Sequence, residues 1–418
     1  MISLLYEFGL NLYMQIAKLV SLKKGKAKKW VEGRKGLFPK IEKKIDSFEK
    51  YDNFLKIWIH CASLGEFEQA APLMKKFKES NKVKIIVTFF SPSGYEVRKD
   101  HSLPDAVFYL PIDTRKNANR FINIIRPDLS IFVKYEFWRN YMIHLHKKNI
   151  PTILISAFFR REQQFFKWYG VWGRQALRSF DHILTRNEDS NSLLKELGIR
   201  NFSLGGDTRY DKVYSLSRNA ERIPLIENFK GDELLFVVGS SWPEDEEVIL
   251  PVLRRSSEKM KIIIAPHEVD DAHLKEIENN VNSTTIRYSE LNSSSFNERV
   301  LLIDNIGMLA SLYKYSDISF VGGGFHTGIH NILEPASFGV PVMFGKNYDR
   351  FPEAHELLRI NAVYNIEDEK DFTNKLTKLL NDKNERQKMG EACKNYVLEN
   401  KGATDLAYKK CLELLEKC

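Results

Sequence analysis

The feature that most constrains this chain is an alternation that runs through it twice. From residue 55, short apolar runs ("LKIWIH", "KVKIIVTFF", "LSIFV", "TILISA", "DHILTR", "NFSLGG") alternate with amphipathic stretches such as "EFEQAAPLMKKFKE" and "EFWRNYMIHLHKK". The rhythm breaks between 212 and 232, then resumes as "ELLFVVGS", "KIIIAP", "TTIRYS", "RVLLID", "DISFVGG" and "VPVMFG". Strands alternating with helices predict a parallel sheet covered on both faces. At 418 residues the chain exceeds one ordinary core, so the fold expected is α/β, with two Rossmann-like domains facing a cleft. Such sheets bind ligands beyond the carboxyl ends of their strands. The expected layout is an apolar helix and basic segment in 1–50, a first domain over 51–211, a linker at 212–232, a second domain over 233–382, and C-terminal helices over 383–418.

Charge is unevenly placed. Residues 1–50 hold 12 Lys/Arg against 5 Asp/Glu, a balance of +7 out of the chain's +8. A nucleic-acid-binding protein spreads such charge over a folded face, so nucleic acid is not an expected partner. Here the charge follows "MISLLYEFGLNLYMQIAKLV", in which Glu7, Asn11, Gln15 and Lys18 recur at helical spacing as one narrow polar stripe. This segment suits a membrane-associating helix lying in the interface, with "KKGKAKK" reaching anionic lipid heads from the cytoplasmic side. Whether it spans or lies on the bilayer is left open, and a helix packed on its own domain is the alternative. It lacks the basic start and cleavage site of a secretory signal. The four cysteines show no CxxC spacing, which predicts reduced thiols and no structural zinc. Cys61, beside His60, reads as packing.

Three stretches in the first half carry candidate chemistry. In "HCASLGEFEQA", a strand ends at His60 and Glu66 opens the helix that follows. A carboxylate there is placed to accept a proton from a hydroxyl, although the helix macrodipole alone favours an acid in a first turn. The same dipole is expected to lower its pKa. "VKYEFWRN" repeats the geometry with Glu136, and "GGDTRYD" sets Arg209 at the end of the last strand. Arg209 is either a clamp for phosphate or carboxylate or the ion-pair partner of Asp207 or Asp211. In the second half, "VGGGFHTGIHNILEPASFGVPVMFG" breaks a strand into Gly322, Gly323 and Gly324. Close backbone approach and a helix start near Asn331 suit a phosphate, and Glu334 suits ribose hydroxyls. A turn using glycine only for backbone freedom is the alternative.

That loop resembles the nucleotide-sugar loop of GT-B glycosyltransferases. Together with "HCASLGE", "TFFSPSGYE", "YLPID", "YEFW", "TRNEDS" and "FVGGG…HNILEP", the ordered motifs resemble the 3-deoxy-D-manno-octulosonic acid (Kdo) transferases of lipopolysaccharide synthesis, over nearly the whole chain. The resemblance implies inverting transfer of Kdo from CMP-Kdo, a co-substrate, to a glucosamine hydroxyl of a lipid A precursor at the cytoplasmic face of the inner membrane. It implies no metal and no cofactor. Residue by residue, it implies Glu66 as base, and Glu136 and Arg209 as groups that stabilise the transition state. CMP contacts fall on Pro266 and His267, on Ile306, Gly307 and Met308, and on Asn331, Ile332, Leu333 and Glu334.

The chain departs from the family pattern in four places. "APHEVD" lacks the arginine of Pro-Arg-His, Lys134 replaces the first acid of Glu-Thr-Glu-Leu-Trp-Pro, and Arg209 stands where many relatives have lysine. "EGRKG" replaces Gly-Glu-Arg, leaving the role of Glu32 open. In "QQFFKWYGVWGR", Phe165, Phe166, Trp168, Tyr169 and Trp172 either fill the core or face lipid. Isolated histidines, His144 and His146 among them, are expected at the surface. Another GT-B enzyme with a different nucleotide sugar and a non-catalytic CMP-sugar-binding membrane protein are the competing functions.

Overall fold

The computed structural model describes residues 2–22, 25–49, 54–80, 82–256, 260–281, 283–291 and 297–417. It divides into two compact units, Met1–Lys212 with Lys401–Cys418, and Val213–Asn400. In the first unit β1 (Leu55–Cys61), β2 (Val83–Phe89), β3 (Ala106–Tyr109), β4 (Leu129–Val133), β5 (Thr152–Ala157), β6 (His182–Thr185) and β7 (Phe202–Leu204) form one sheet, ordered β3-β2-β1-β4-β5-β6-β7. Every pairing is parallel. The second unit has β8 (Leu234–Ser241), β9 (Met260–Pro266), β10 (Thr285–Arg287), β11 (Val300–Leu302), β12 (Ile318–Val321), β13 (Val342–Gly345) and β14 (Val363–Ile366). These pair in the order β10-β11-β9-β8-β12-β13-β14, again all parallel. Ala106–Tyr109 and Val363–Ile366 add strands the apolar runs did not mark.

Burial on both faces explains the apolar runs. Along β1, Ile57, Ile59 and Cys61 enter one cluster with Phe67, Leu73 and Phe77, while Trp58 enters the other with Phe121, Phe132 and Tyr141. Cys61 is therefore a packed thiol, its pKa pushed up by burial and by the nearby Glu66.

The segment expected as a linker is helical: Thr208–Asn219 and Pro224–Lys230. Of the C-terminal helices, Lys383–Asn400 stays with the second unit. Ala403–Leu415 instead returns to the first, where Ala407, Cys411 and Leu414 join the β1 core. Asp211 holds this return, because its carboxylate accepts the Gly402 and Thr404 amides at 2.7 and 3.1 Å.

The N-terminal segment is more built-in than its charge suggests. The helix Leu37–Glu49 buries Leu37, Ile41, Ile45 and Phe48 in the first unit's core. Ahead of it, Arg34 donates to the carbonyls of Leu110, Trp30 and Phe90, each at 3.0 Å, with its guanidinium over the rings of Trp30, Phe90 and Tyr109. Burial lowers its pKa to about 10. The first helix, Ile2–Val20, docks through its polar residues. Tyr6 donates to Asp113 at 2.7 Å, and Glu7 accepts the Arg115 amide and the Asn140 side chain. The polar stripe thus begins inside the protein, at Glu7, while Phe8, Leu12, Ile16 and Leu19 are each half or more exposed. No helix among the described residues is long and apolar enough to cross a membrane. Lys23 and Lys24 of the basic run lie outside the described residues.

Arg34→Met keeps the aliphatic stem but strips three carbonyls of a charged donor. It is expected to cost about 2–4 kcal/mol, read as a lower urea midpoint with unchanged slope. A change within about 0.5 kcal/mol, the scatter of ordinary surface substitutions, would show the cage to be dispensable.

Candidate active site

All the first-unit candidates follow carboxyl ends of strands. Glu66 lies after β1, in the first turn of the helix Leu64–Lys78. Its Oε2 accepts the backbone N–H of Ala62 and, at 3.2 Å, of Ser63. Its Oε1 has no hydrogen-bond donor among the described residues. The carboxyl is 7% exposed, and its pKa is not lowered as the macrodipole argument predicted. Burial, then the charge of Glu136, push it up to about 7 against the pull of the two amides and Lys134. Desolvation outweighs the helix start here.

Glu136 follows β4. Its Oε2 accepts Trp138 Nε1–H at 2.6 Å and lies 3.1 Å from His60 Nε2. Arg209 follows β7 and pairs with buried Asp207, Nε to Oδ2 at 2.8 Å. Arg186, after β6, reaches the same oxygen at 2.7 Å. The two arginines depress the Asp207 carboxyl even though it is buried. Lys134 sits at φ 64 just past β4. Burial and then Arg209 lower its pKa, and it attracts Glu66. The structure therefore gathers Glu66, Glu136, Lys134, Arg186 and Arg209 at one edge of the first sheet. Of the two partners weighed for Arg209, Asp207 is the one observed.

In the second unit, Pro266 ends β9, and the His267 amide donates to Ser241 O at 2.9 Å. The His267 ring stacks on Trp242 at 4.4 Å and on His330 at 4.6 Å, and His326 stacks on Trp242 at 4.6 Å. Trp242 donates to His330 Nε2 at 2.9 Å. Burial, aided by His267 and His326, lowers His330 to about 4. Gly307 takes φ 104 between Ile306, which is exposed, and Met308, which is partly buried. Asn331 Nδ2 donates to Glu334 Oε1 at 3.0 Å, while Asn331 Oδ1 accepts the Leu333 amide. Ile332 and Leu333 are buried, so of these four only Asn331 and Glu334 offer polar side chains.

The glycine loop differs from expectation. Gly322 N–H donates to Gly239 O, and Gly323 N–H donates to Asp245 Oδ2 at 2.6 Å. Asp245 Oδ1 accepts Phe325 N–H at 3.0 Å. Two of the three amides expected to cradle phosphate are thus committed to protein acceptors. The glycines serve close packing: a Cβ on Gly322 would overlap the Ser240–Ser241 backbone, one on Gly324 would overlap Gly345, and Gly323 takes φ 90. Asp245, Trp242, His330 and Arg186 were not singled out from sequence, and His60 was read only as the end of a strand. For Asp245 a signal existed, an acid three residues after the helix-opening Trp242.

The aromatic stretch divides. Phe165 is buried and Phe166 packs against the core, whereas Trp168 and Tyr169 are exposed; the Trp172 side chain lies outside the described residues. His146 is exposed as expected, but His144 is half-buried and contacts Asn140 O at 2.8 Å.

Glu66 yields a stability test. Its folded pKa of about 7 lies above the ordinary 4.5, so the folded protein holds the proton more tightly. Its contribution to stability falls as pH rises from about 4.5 to 7 and then levels, by up to about 3 kcal/mol. Glu66→Gln is expected to be more stable than the parent at pH 8, with the gap closing at pH 4.5; a gap independent of pH would refute the assignment.

The family model for 3-deoxy-D-manno-octulosonic-acid transferase matches residues 29–212. A 3-deoxy-D-manno-octulosonic acid transferase of Haemophilus influenzae is 29% identical over 385 residues, 86% of each chain. One from Aquifex aeolicus is 27% identical, over 79% of this chain and 87% of its own. A bifunctional glycosyltransferase/methyltransferase of Fusobacterium nucleatum is 29% identical over 78% of this chain, which spans about half (53%) of that protein's length. Among solved structures, UDP-GlcNAc 2-epimerase from Neisseria meningitidis superposes with a TM-score of 0.62 at 17% identity, over 87% of this chain and all of its own. MurG of Acinetobacter baumannii superposes with a TM-score of 0.56 at 12% identity, over 86% and 99%. These structures share the fold alone. In sequence the chain is similar to the Kdo transferases, its first half matching their family model and most of its length matching two of them.

Proposed function

We propose that the chain transfers Kdo, with inversion, from CMP-Kdo to a glucosamine hydroxyl of a lipid A precursor. The observation that carries the reading is Glu66, a buried carboxyl with a pKa near 7, one oxygen held by two backbone N–H groups and the other unengaged among the described residues. A base with a pKa near the working pH combines ionisation with driving force for proton transfer. In this reading the acceptor hydroxyl gives its proton to Glu66 Oε1 as its oxygen bonds to the Kdo anomeric carbon. The bond from that carbon to the CMP phosphate breaks, and CMP leaves with the electron pair. Arg209 with Arg186 and Lys134 supplies positive charge for the developing anion. The nucleotide sits on the second unit's edge, at His267, residues 306–308, Asn331 and Glu334, and no divalent metal takes part.

The test is transfer from enzymatically generated CMP-Kdo to a tetra-acylated lipid A precursor, resolved by mass. Wild type is expected to form product, in EDTA as well, with kcat/KM rising through an acid limb near pH 7. Folded Glu66→Gln is expected to lose about 10²–10⁴-fold in kcat. Product from both proteins would remove Glu66 as base; none from the wild type would remove the substrate assignment.

Membrane association from the cytoplasmic side is part of the same proposal. The first helix turns Tyr6 and Glu7 inward and Phe8, Leu12, Ile16 and Leu19 outward, the arrangement of an interfacial helix. Flotation with phosphatidylglycerol-containing vesicles is expected to recover the wild type. The Phe8→Ser/Leu12→Ser/Ile16→Ser/Leu19→Ser variant should bind at least about tenfold less, since each buried CH₂ contributes about 0.8 kcal/mol. Equal flotation would place the contact elsewhere.

A further inference from the structure

The buried polar chain behind Glu136 is not accounted for by any role above. Trp58 and His60 lie two apart on β1, so they share a face, and Thr88 is the direct parallel partner of His60 on β2. All three are 0% exposed. Trp58 Nε1–H donates to Thr88 Oγ1 at 2.8 Å; Thr88 Oγ1 is 2.9 Å from His60 Nδ1; and His60 Nε2 is 3.1 Å from Glu136 Oε2. Trp138 Nε1–H lies 2.6 Å from that oxygen and 2.9 Å from His60 Nε2.

Donor accounting selects one protonation pattern. Indole nitrogens only donate, so Thr88 accepts from Trp58 and has its own hydroxyl proton left to give. The acceptor within reach is His60 Nδ1, which leaves the proton of a neutral imidazole on Nε2, aimed at the Glu136 carboxylate. Every group in the chain is then satisfied. In the opposite tautomer the bare Nε2 can accept Trp138 Nε1–H at 2.9 Å, but it also faces the Glu136 oxygen at 3.1 Å, and the Thr88 proton loses this acceptor, a costly arrangement in a buried site.

We propose that His60 is a positioning residue: through its Nε2–H, and backed by Thr88 and Trp58, it fixes Glu136 Oε2 and directs the remaining carboxylate oxygen to the edge where Glu66 lies. Glu136 Oε1 has no partner among the described residues. The inference rests on the roles given to Glu66 and Glu136 in the proposed transfer, but its first test does not require turnover.

That test is the long-range ¹H–¹⁵N spectrum of full-length protein labelled at histidine, with His60 assigned by its loss in His60→Gln. A protonated Nε2 and bare Nδ1 are expected; the reverse pattern overturns the inference even if no transfer activity is found. The second test uses the two amides that mimic each ring nitrogen. His60→Gln puts an N–H₂ near the Nε2 position and is expected to keep kcat within about threefold of wild type. His60→Asn reaches only the Nδ1 position and is expected to lose at least about tenfold in kcat, with KM for both substrates within about twofold. The charged groups acting on Glu66 are Glu136, which raises its pKa, and Lys134, which lowers it. Release of Glu136 in His60→Asn should therefore move the acid limb of kcat/KM to lower pH. Equal losses in both variants with an unmoved acid limb would reduce His60 to a core residue.

Discussion

Parallel pairing is the constraint on which the rest of this structure depends. A parallel ladder cannot be closed by a tight turn, so each strand must be followed by a crossover that returns along a face of the sheet. Both faces are then covered, the strands become apolar at nearly every position, and every strand of a sheet delivers its following loop to the same edge. Glu66, Glu136, Arg186 and Arg209 lie up to 143 residues apart in sequence, from Glu66 to Arg209, yet they share an edge because β1, β4, β6 and β7 point the same way.

At that edge the balance of electrostatic terms decides the chemistry. A carboxylate at a helix start with two backbone donors would ordinarily be strongly acidic. Burial and a second carboxylate reverse this for Glu66, while Asp207, buried more deeply still, stays acidic between two arginines. The difference lies in the nearest charges: an anion for one, two cations for the other. Lys134 belongs to both groups, attracting Glu66 and repelled by Arg209.

The second unit shows a different use of polar groups. Asp245 is fully buried and takes three backbone donors, from Trp242, Gly323 and Phe325. Its carboxylate ties the turn after β8 to the turn after β12, and the three glycines let the backbones meet that closely. Glycine content therefore reports the tightness of the turn before it reports a ligand. The stacked rings of Trp242, His267, His326 and His330 border the same turn, drawn there by residues distant in sequence.

Much was legible in the sequence because periodicity and order are local properties. The alternation of apolar runs and helices located twelve of the strands, and the ordered motifs carried the family resemblance. The position of Glu66 after a strand and at a helix start was equally readable. What stayed hidden depends on non-local neighbours. The docking of the first helix could not be read locally, since Asp113, Arg115 and Asn140, distant in sequence, supply the partners of Tyr6 and Glu7. The last helix was readable only as part of a helical C-terminal segment, and its place came from Ala407, Cys411 and Leu414 meeting the β1 core. The sequence by itself determined two parallel sheets and which loops reach their carboxyl edges, since pattern alone dictates both. Only the tertiary structure decided the proton affinity of Glu66, the commitment of the glycine amides and the orientation of Glu136 by His60, because each is set by burial and by charges that folding brings together.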